Sequence, residues 1–125
     1  MPDVAHHIHG VQLAEHGGTV GVRDKGLIDS ALARVVNLAS YGQPDGAVLA
    51  ASYAFGIARN HGFVDGNKRT AWVLARLFLI DNGMRLKFDP GDAIRTMESV
   101  ADGRLDEAAL AQWFRERIVD GFLTE

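Results

Sequence analysis

Residues 61–83 read HGFVDGNKRTAWVLARLFLIDNG, a loop rich in polar residues that runs into the strongest helical pattern of the chain. From about Asn67 to Asn82 the apolar side chains cover most of a helix circumference, and Gly83 follows where a terminating glycine belongs. A helix that is apolar nearly all round is normally the buried centre of a bundle. The stretch therefore predicts a helical domain built around this segment.

The segments on either side are also mostly helical in pattern. Helices are predicted after Asp24 as far as 37–42, after Asp45 as far as Asn60, after Asp89 as far as Gly103, and around 110–118. A short helix is expected at 11–16, behind a flexible start. Residues 84–88, and more weakly 19–23, alternate as strands do. We predict an all-α single domain over 1–125, a helical bundle around a buried central helix, with room for a minor β-hairpin.

Composition limits the classes of function. The 125 residues are 47% hydrophobic and 23% charged, as in one soluble globular domain, and the net charge of −3 lacks the basic excess of direct nucleic-acid binders. The absence of cysteine excludes disulfides and thiolate chemistry. The start MPDVAHHIHG lacks a secretory signal pattern, and the apolar run 71–80 is interrupted by Arg76 and too short for a bilayer. A cytoplasmic protein without a membrane partner is expected.

The start of the predicted central helix has the composition of a phosphate site. The first turn of a helix presents backbone N–H groups and partial positive charge, which together bind anions. Gly66 would let the backbone approach an anion closely, and Asn67 can donate an amide hydrogen bond. Lys68 and Arg69 can neutralise phosphate oxygens. The chain has no GxxxxGK[ST] sequence, so this is a phosphate cradle of another kind.

Two further residues complete a reactive set. Asp65 would lie beside bound phosphates, and one carboxylate with phosphate oxygens and waters suffices for Mg²⁺. His61 is suited to accept a proton from an incoming hydroxyl. Each residue taken alone is explained more readily by capping, turn formation or packing. Their combination within nine residues favours phosphoryl or nucleotidyl transfer onto an alcohol.

The same stretch resembles the signature of the Fic/Doc family, H-x-F-x-[D/E/N]-[G/A]-N-x-R. Six positions match it at fixed spacing: His61, Phe63, Asp65, Gly66, Asn67 and Arg69. Similarity to the Doc (death-on-curing) branch extends from the Gly17-Gly18 pair to the Asn82-Gly83 pair, which is most of the chain. The resemblance implies a Fic-type helical fold.

The resemblance also implies a role for each motif residue. His61 would be the catalytic base that activates the target hydroxyl, and Asp65 would position Mg²⁺. The backbone of residues 66–68 would form the anion hole, and Arg69 would clamp the nucleotide phosphates.

Two departures from the adenylylating Fic pattern G-N-G-R-x-x-R point to the Doc branch. Lys68 replaces the second glycine and Trp72 replaces the second arginine. Doc-type proteins resemble kinases: ATP lies reversed, and its γ-phosphate moves to a protein threonine, with elongation factor Tu as the implied substrate and translation arrest as the result. AMP or another nucleotidyl transfer by the same loop is the alternative. A catalytically silent binding module is the alternative from another class.

Control of the activity is expected to come from a second chain. The sequence lacks the [S/T]-x-x-x-E-[G/N] pattern of self-inhibited Fic proteins. The Doc resemblance implies a Phd-like antitoxin in trans, whose disordered tail folds as a helix into an exposed apolar groove. No role is assigned from the sequence to the N-terminal histidines His6, His7, His9 and His16.

Overall fold

The computed structural model describes residues 2–17, 21, 22, 24–40, 44–60, 62 and 66–120. Six helices and two short strands occur in these ranges. They are α1 (Pro2–His16), α2 (Lys25–Ser40), α3 (Gly46–Asn60), α4 (Asn67–Asp81), β1 (Met84–Leu86), α5 (Pro90–Ala101), α6 (Glu107–Arg117) and β2 (Ile118–Asp120). The predicted all-α class is confirmed. Across the described ranges, none of these helices has both the length and the apolar character needed to cross a bilayer.

The helix at the centre of the bundle is α3 rather than α4. Helix α3 packs against α2, α4, α5 and α6, and its alanines Ala50, Ala51 and Ala54 are fully buried. Helix α4 keeps an outer face, on which Ile80 is 55% exposed. The expectation from the apolar pattern was wrong about which helix is central, because small side chains allow the closest helix approach and are concentrated on α3.

Helix α1 is longer than the sequence predicted, since it begins at Pro2 rather than near residue 11. Its buried residues Ala5, Ile8 and His9 recur at helical spacing and pack into the bundle. The flexible start was therefore a wrong expectation. Histidine and glycine residues interrupt the apolar pattern here, so the burial is visible only once α4 and α2 are in place beside α1.

The two strands form a small antiparallel sheet, but they are not a hairpin. Met84 lies opposite Asp120 and Leu86 lies opposite Ile118, so α5 and α6 separate the paired strands in sequence. The backbone N–H of Lys87 also donates to the Arg117 carbonyl over 2.9 Å. The last helix ends at Arg117, one residue before the expected Ile118. Most of the weaker strand candidate at 19–23 lies outside the described residues.

Aspartates begin four of the helices, as the sequence predicted for three of them. Their carboxylates accept hydrogen bonds from backbone N–H groups in the first turn at 2.8–3.2 Å, in the positions Asp24, Asp45, Asp89 and Asp106. Such caps satisfy donors that the helix itself leaves without acceptors. Helix α4 differs because it begins after Gly66, which has no side chain to place there.

Asp45 also joins α3 to α6, which makes its effect on stability depend on pH. Its carboxylate accepts hydrogen bonds from Arg115 Nε over 2.8 Å and from Arg115 Nη2 over 3.2 Å. The hydrogen bond from the Arg115 side chain, followed by that from the Val48 amide, lowers the pKa of Asp45. A lowered folded-state pKa contributes stability above the unfolded pKa, and this contribution is lost as the pH falls through the folded-state value.

We therefore expect Asp45→Ala to lower the free energy of unfolding by about 1–2 kcal/mol near pH 7, as cap and surface pair are both removed. The deficit relative to wild type should be smaller at about pH 3, below the ordinary aspartate pKa, because this contribution is lost progressively as the pH falls towards the lowered folded-state pKa. Urea unfolding at both pH values measures this. Asp106→Ala is the control, because the Asp106 carboxylate accepts a hydrogen bond from the Ala109 amide in the same kind of cap. An equal deficit at both pH values for Asp45→Ala would contradict the expectation.

Candidate functional site

The chain turns sharply into α4 at Gly66. This residue has φ 79° and ψ 15°, a left-handed conformation that glycine adopts without steric cost. Its carbonyl accepts the first intrahelical hydrogen bond, from the Thr70 amide over 3.0 Å. The amides of residues 67–69 therefore precede the first bond of the helix, where the dipole is positive. The structure places Gly66, Asn67, Lys68 and Arg69 together at this helix end, as the sequence predicted.

Arg69 joins this turn to the end of α1. Its Nη2 donates to the Gly17 carbonyl over 3.1 Å, and Gly17 closes α1 with φ 75°. Its Nε is buried and has no hydrogen-bond partner among the described residues. A buried donor without an acceptor costs about 1–3 kcal/mol, so a phosphate oxygen is the kind of group that fits beside this guanidinium. Lys68, by contrast, is solvent exposed.

Two side chains of α1 support the turn from behind. A methyl carbon placed on Gly66 would lie 3.4 Å from His9 Cδ2 and 3.6 Å from Leu13 Cδ2. His9 is buried, so its imidazole is part of the wall on which the turn rests. The sequence reasoning missed this support. The recurrence of Ala5, His9 and Leu13 at intervals of four residues places them on one face of α1, but it does not show which element that face meets.

We expect Gly66→Ala to lower the free energy of unfolding by about 1–2 kcal/mol, because alanine is strained in the left-handed backbone conformation. The methyl group itself fits, since its nearest neighbours would lie at 3.4–3.6 Å. Gly17→Ala is the matched control: it has nearly the same φ, and nothing lies within 4 Å of the added carbon. Urea unfolding of both variants should give similar losses. A much larger loss for Gly66→Ala would show that His9 and Leu13 leave no room beside the turn.

The two candidate reactive residues, His61 and Asp65, lie outside the described residues. Between them Gly62 is described, buried and firmly placed. Its carbonyl accepts a hydrogen bond from the Asp24 amide over 2.9 Å. A carbon added to Gly62 would overlap Ile28 Cγ1 and lie 3.1 Å from the Asp24 carbonyl oxygen. This contact holds Gly62 against the start of α2, and it was not predictable from the motif, which leaves this position open.

The magnesium prediction rests on Asp65 alone. Among the described residues no group of three or more histidine, aspartate or glutamate side chains could hold a metal ion. A carboxylate next to a phosphate site is nevertheless the type of ligand that Mg²⁺ takes, because this ion keeps several waters and shares phosphate oxygens. Asp65 lies outside the described residues, so the magnesium site remains a prediction from the sequence.

A groove of about 540 Å³ extends from this turn along α4 towards α5. The residues that line it are Lys68, Arg69, Trp72, Arg76, Phe88, Pro90, Ala93, Ile94, Met97 and Glu98. Trp72 forms one wall, and its ring is held by Phe88 at 5.1 Å and by Phe114 at 6.3 Å between centroids. Adenylylating Fic sequences have a second arginine at this position. In this chain the position is Trp72, whose ring packs in an aromatic cluster. The turn at Gly66 thus leads into a longer, partly aromatic groove.

The chain belongs to the Fic/DOC family, whose model matches residues 2–79. It is 43% identical over 101 residues to a protein named Toxin Doc from Mycolicibacterium smegmatis, covering 76% of each chain. It is 31% identical over 109 residues to a protein named Protein kinase doc from Escherichia phage P1, covering 86% of each chain. The family assignment from the loop motif is confirmed. The matched range contains the complete loop and the start of α4.

Proposed function

We propose that this protein is a Doc-type toxin that transfers the γ-phosphate of ATP to a threonine hydroxyl of a protein. The observation that carries the proposal is the left-handed Gly66 at the start of α4, followed by Asn67, Lys68 and Arg69 in the first turn. This arrangement is suited to a phosphoryl group because backbone N–H groups and the positive end of the helix dipole lie there, with Lys68 and Arg69 in the same turn. One relative is named a protein kinase and another a toxin, which supports the same reading.

The proposed reaction is an in-line displacement. The threonine oxygen forms a bond to the γ-phosphorus, the bond from that phosphorus to the bridging oxygen breaks, and ADP leaves. His61 accepts the proton of the attacking hydroxyl. Residues 66–68 and Arg69 hold the negative oxygens of the phosphoryl group during transfer. Mg²⁺, when held by Asp65, supplies further charge neutralisation on the phosphates.

Kinase chemistry is preferred over AMP transfer because of two side chains. Lys68 brings a long side chain to the place where the adenylylating pattern has glycine and a close α-phosphate. Trp72 lies in an aromatic cluster with Trp113 at 6.0 Å and Phe114 at 6.3 Å between ring centroids. A ring held in this way offers no cation for a distal phosphate, as the second arginine of the adenylylating pattern would.

The biological setting is part of the same proposal. The chain would act in the cytoplasm as part of a toxin–antitoxin module, in which a Phd-like antitoxin restrains it in trans. A relative named Toxin Doc supports the assignment as a toxin. The substrate proposed from the Doc resemblance is elongation factor Tu, and its phosphorylation would stop translation.

A paired labelling assay tests the proposal. The purified protein and Mg²⁺ are incubated with elongation factor Tu, or with a cell extract, and with ATP labelled on either its α- or its γ-phosphate. Protein-bound label from the γ-position only, dependent on Mg²⁺, supports the kinase. Label from the α-position would establish nucleotidyl transfer instead. No transfer to either preparation would overturn both and favour a binding module.

A further inference from the structure

The groove between α4 and α5 has two chemically different ends along α4. Lys68 and Arg69 lie in the first turn of the helix, and Arg76 lies about two turns later. Seven or eight residues of helix correspond to about 11–12 Å. That length is suited to a ligand with an anionic group at the turn and a further part beyond it. The volume of about 540 Å³ is typical of a site for a small organic ligand.

The far end of the groove is aromatic and planar. Trp72 and Phe88 meet edge to face with centroids 5.1 Å apart. The Arg76 guanidinium carbon lies 5.7 Å from the centroid of Trp72 and 5.1 Å from that of Phe88. Contact with both rings restricts the arginine, although its side chain remains exposed to solvent. Rings and a guanidinium plane arranged together are surfaces on which nucleobases stack.

The α5 side of the groove supplies an apolar surface. Ala93 and Met97 are buried, whereas Ile94 is 60% exposed, the largest exposure among the large hydrophobic residues of the described chain. An exposed isoleucine next to aromatic rings favours a ligand with an apolar face. Glu98 adds a carboxylate to the same lining. It can accept hydrogen bonds from hydroxyl or amino groups, and it disfavours phosphate beside it.

We propose that this groove binds the nucleoside part of the nucleotide, with the base against Trp72, Phe88 and Arg76 and the polyphosphate reaching the turn at Gly66. The inference rests on the proposed function for the identity of the ligand as ATP. It assigns Arg76 as a nucleotide-binding residue. The second arginine of the adenylylating Fic pattern would lie one turn earlier, where this chain has Trp72.

Calorimetric binding of ATP and of inorganic tripolyphosphate to the full chain tests the assignment. Arg76→Ala should weaken ATP binding by about tenfold, from the loss of a stacking and cation–π surface. It should weaken tripolyphosphate binding much less, because this ligand has no base. Arg95→Ala is the charge-matched control: Arg95 lies on α5, its side chain is 71% exposed, and it does not line the groove.

A second pair of variants avoids any change to the aromatic cluster. Ile94→Glu places a carboxylate in the groove at an exposed position, and Ile80→Glu makes the same change at an exposed position of α4 outside it. ATP affinity should fall for Ile94→Glu and remain unchanged for Ile80→Glu. If Arg76→Ala affected ATP and tripolyphosphate equally, or if neither Arg76→Ala nor Ile94→Glu affected ATP, the nucleoside site would be overturned.

The outcomes separate this inference from the proposed function. Transfer of γ-phosphate with an unchanged KM for ATP in Arg76→Ala would remove the groove assignment and leave the kinase intact. ATP binding that depends on Arg76, in a protein that transfers no phosphate, would support the groove and remove the kinase. A wild-type chain that binds no ATP would overturn both.

Discussion

Replacement of His61 by alanine is expected to lower phosphate transfer by at least about 100-fold, the contribution typical of a positioned general base. Without the imidazole, the proton of the attacking hydroxyl has no acceptor at the reacting centre. The free energy of unfolding should change little, because the contacts of Gly62 with α2 and of Gly66 with α1 and α4 do not involve residue 61. Initial rates with γ-labelled ATP and a parallel urea titration measure the two effects.

His7→Ala provides the matched control, since His7 is an exposed histidine of α1. Its transfer rate should equal that of the wild type. ATP binding by His61→Ala should also be retained, because the residues proposed to hold phosphate remain. A His61→Ala protein that transfers phosphate at the normal rate would remove His61 as the base, whatever the outcome for the nucleotide site.

Gly62→Ala is expected to lower transfer by about 100-fold although the residue carries no reactive group. The added carbon overlaps Ile28 Cγ1, and Ile28 is buried with 1% of its surface exposed. Because Ile28 is buried, we expect the added carbon to displace Gly62 and, with it, the neighbouring His61. Displacement of a reacting group by about 1 Å has a cost of this order, and overpacking of this kind costs about 1–3 kcal/mol of stability.

A second substitution distinguishes this displacement from general damage. Ile28→Ala removes the overlapped atom, so the Gly62→Ala/Ile28→Ala double variant should recover part of the transfer lost in Gly62→Ala. The coupling should be visible as a double variant more active and more stable than the sum of the single changes predicts. Gly10→Ala is the control for an added methyl group, because nothing lies within 4 Å of its new carbon. Additive losses in the double variant would contradict a steric cause.

Features that depend on neighbouring residues were predictable from the sequence. The caps at Asp24, Asp45 and Asp89 and the glycine turn at Gly66 were all expected from residue type and spacing, and the structure contains them. Such features are determined within one helical turn. The motif that identified the family lies in one continuous stretch for the same reason.

Features that depend on distant contacts were not predictable in this way. The partner of β1 is β2, after two intervening helices, so the alternation at 84–88 could not identify it. Burial of His9 becomes visible only when α1 packs on α4. The need for glycine at position 62 arises from Ile28, which lies far away in sequence. In each case the feature depends on a residue that belongs to another helix or strand.

The hydrogen bond from Arg69 to the Gly17 carbonyl has a consequence for control of the site. This hydrogen bond connects the end of α1 to the first turn of α4. If Arg69 binds phosphate as proposed, a molecule that binds the end of α1 and changes this bond also changes phosphate affinity. Thermodynamic reciprocity then requires that phosphate change the affinity of that molecule by the same factor. Regulation of this enzyme would in that case be measurable from either ligand, without any assay of turnover.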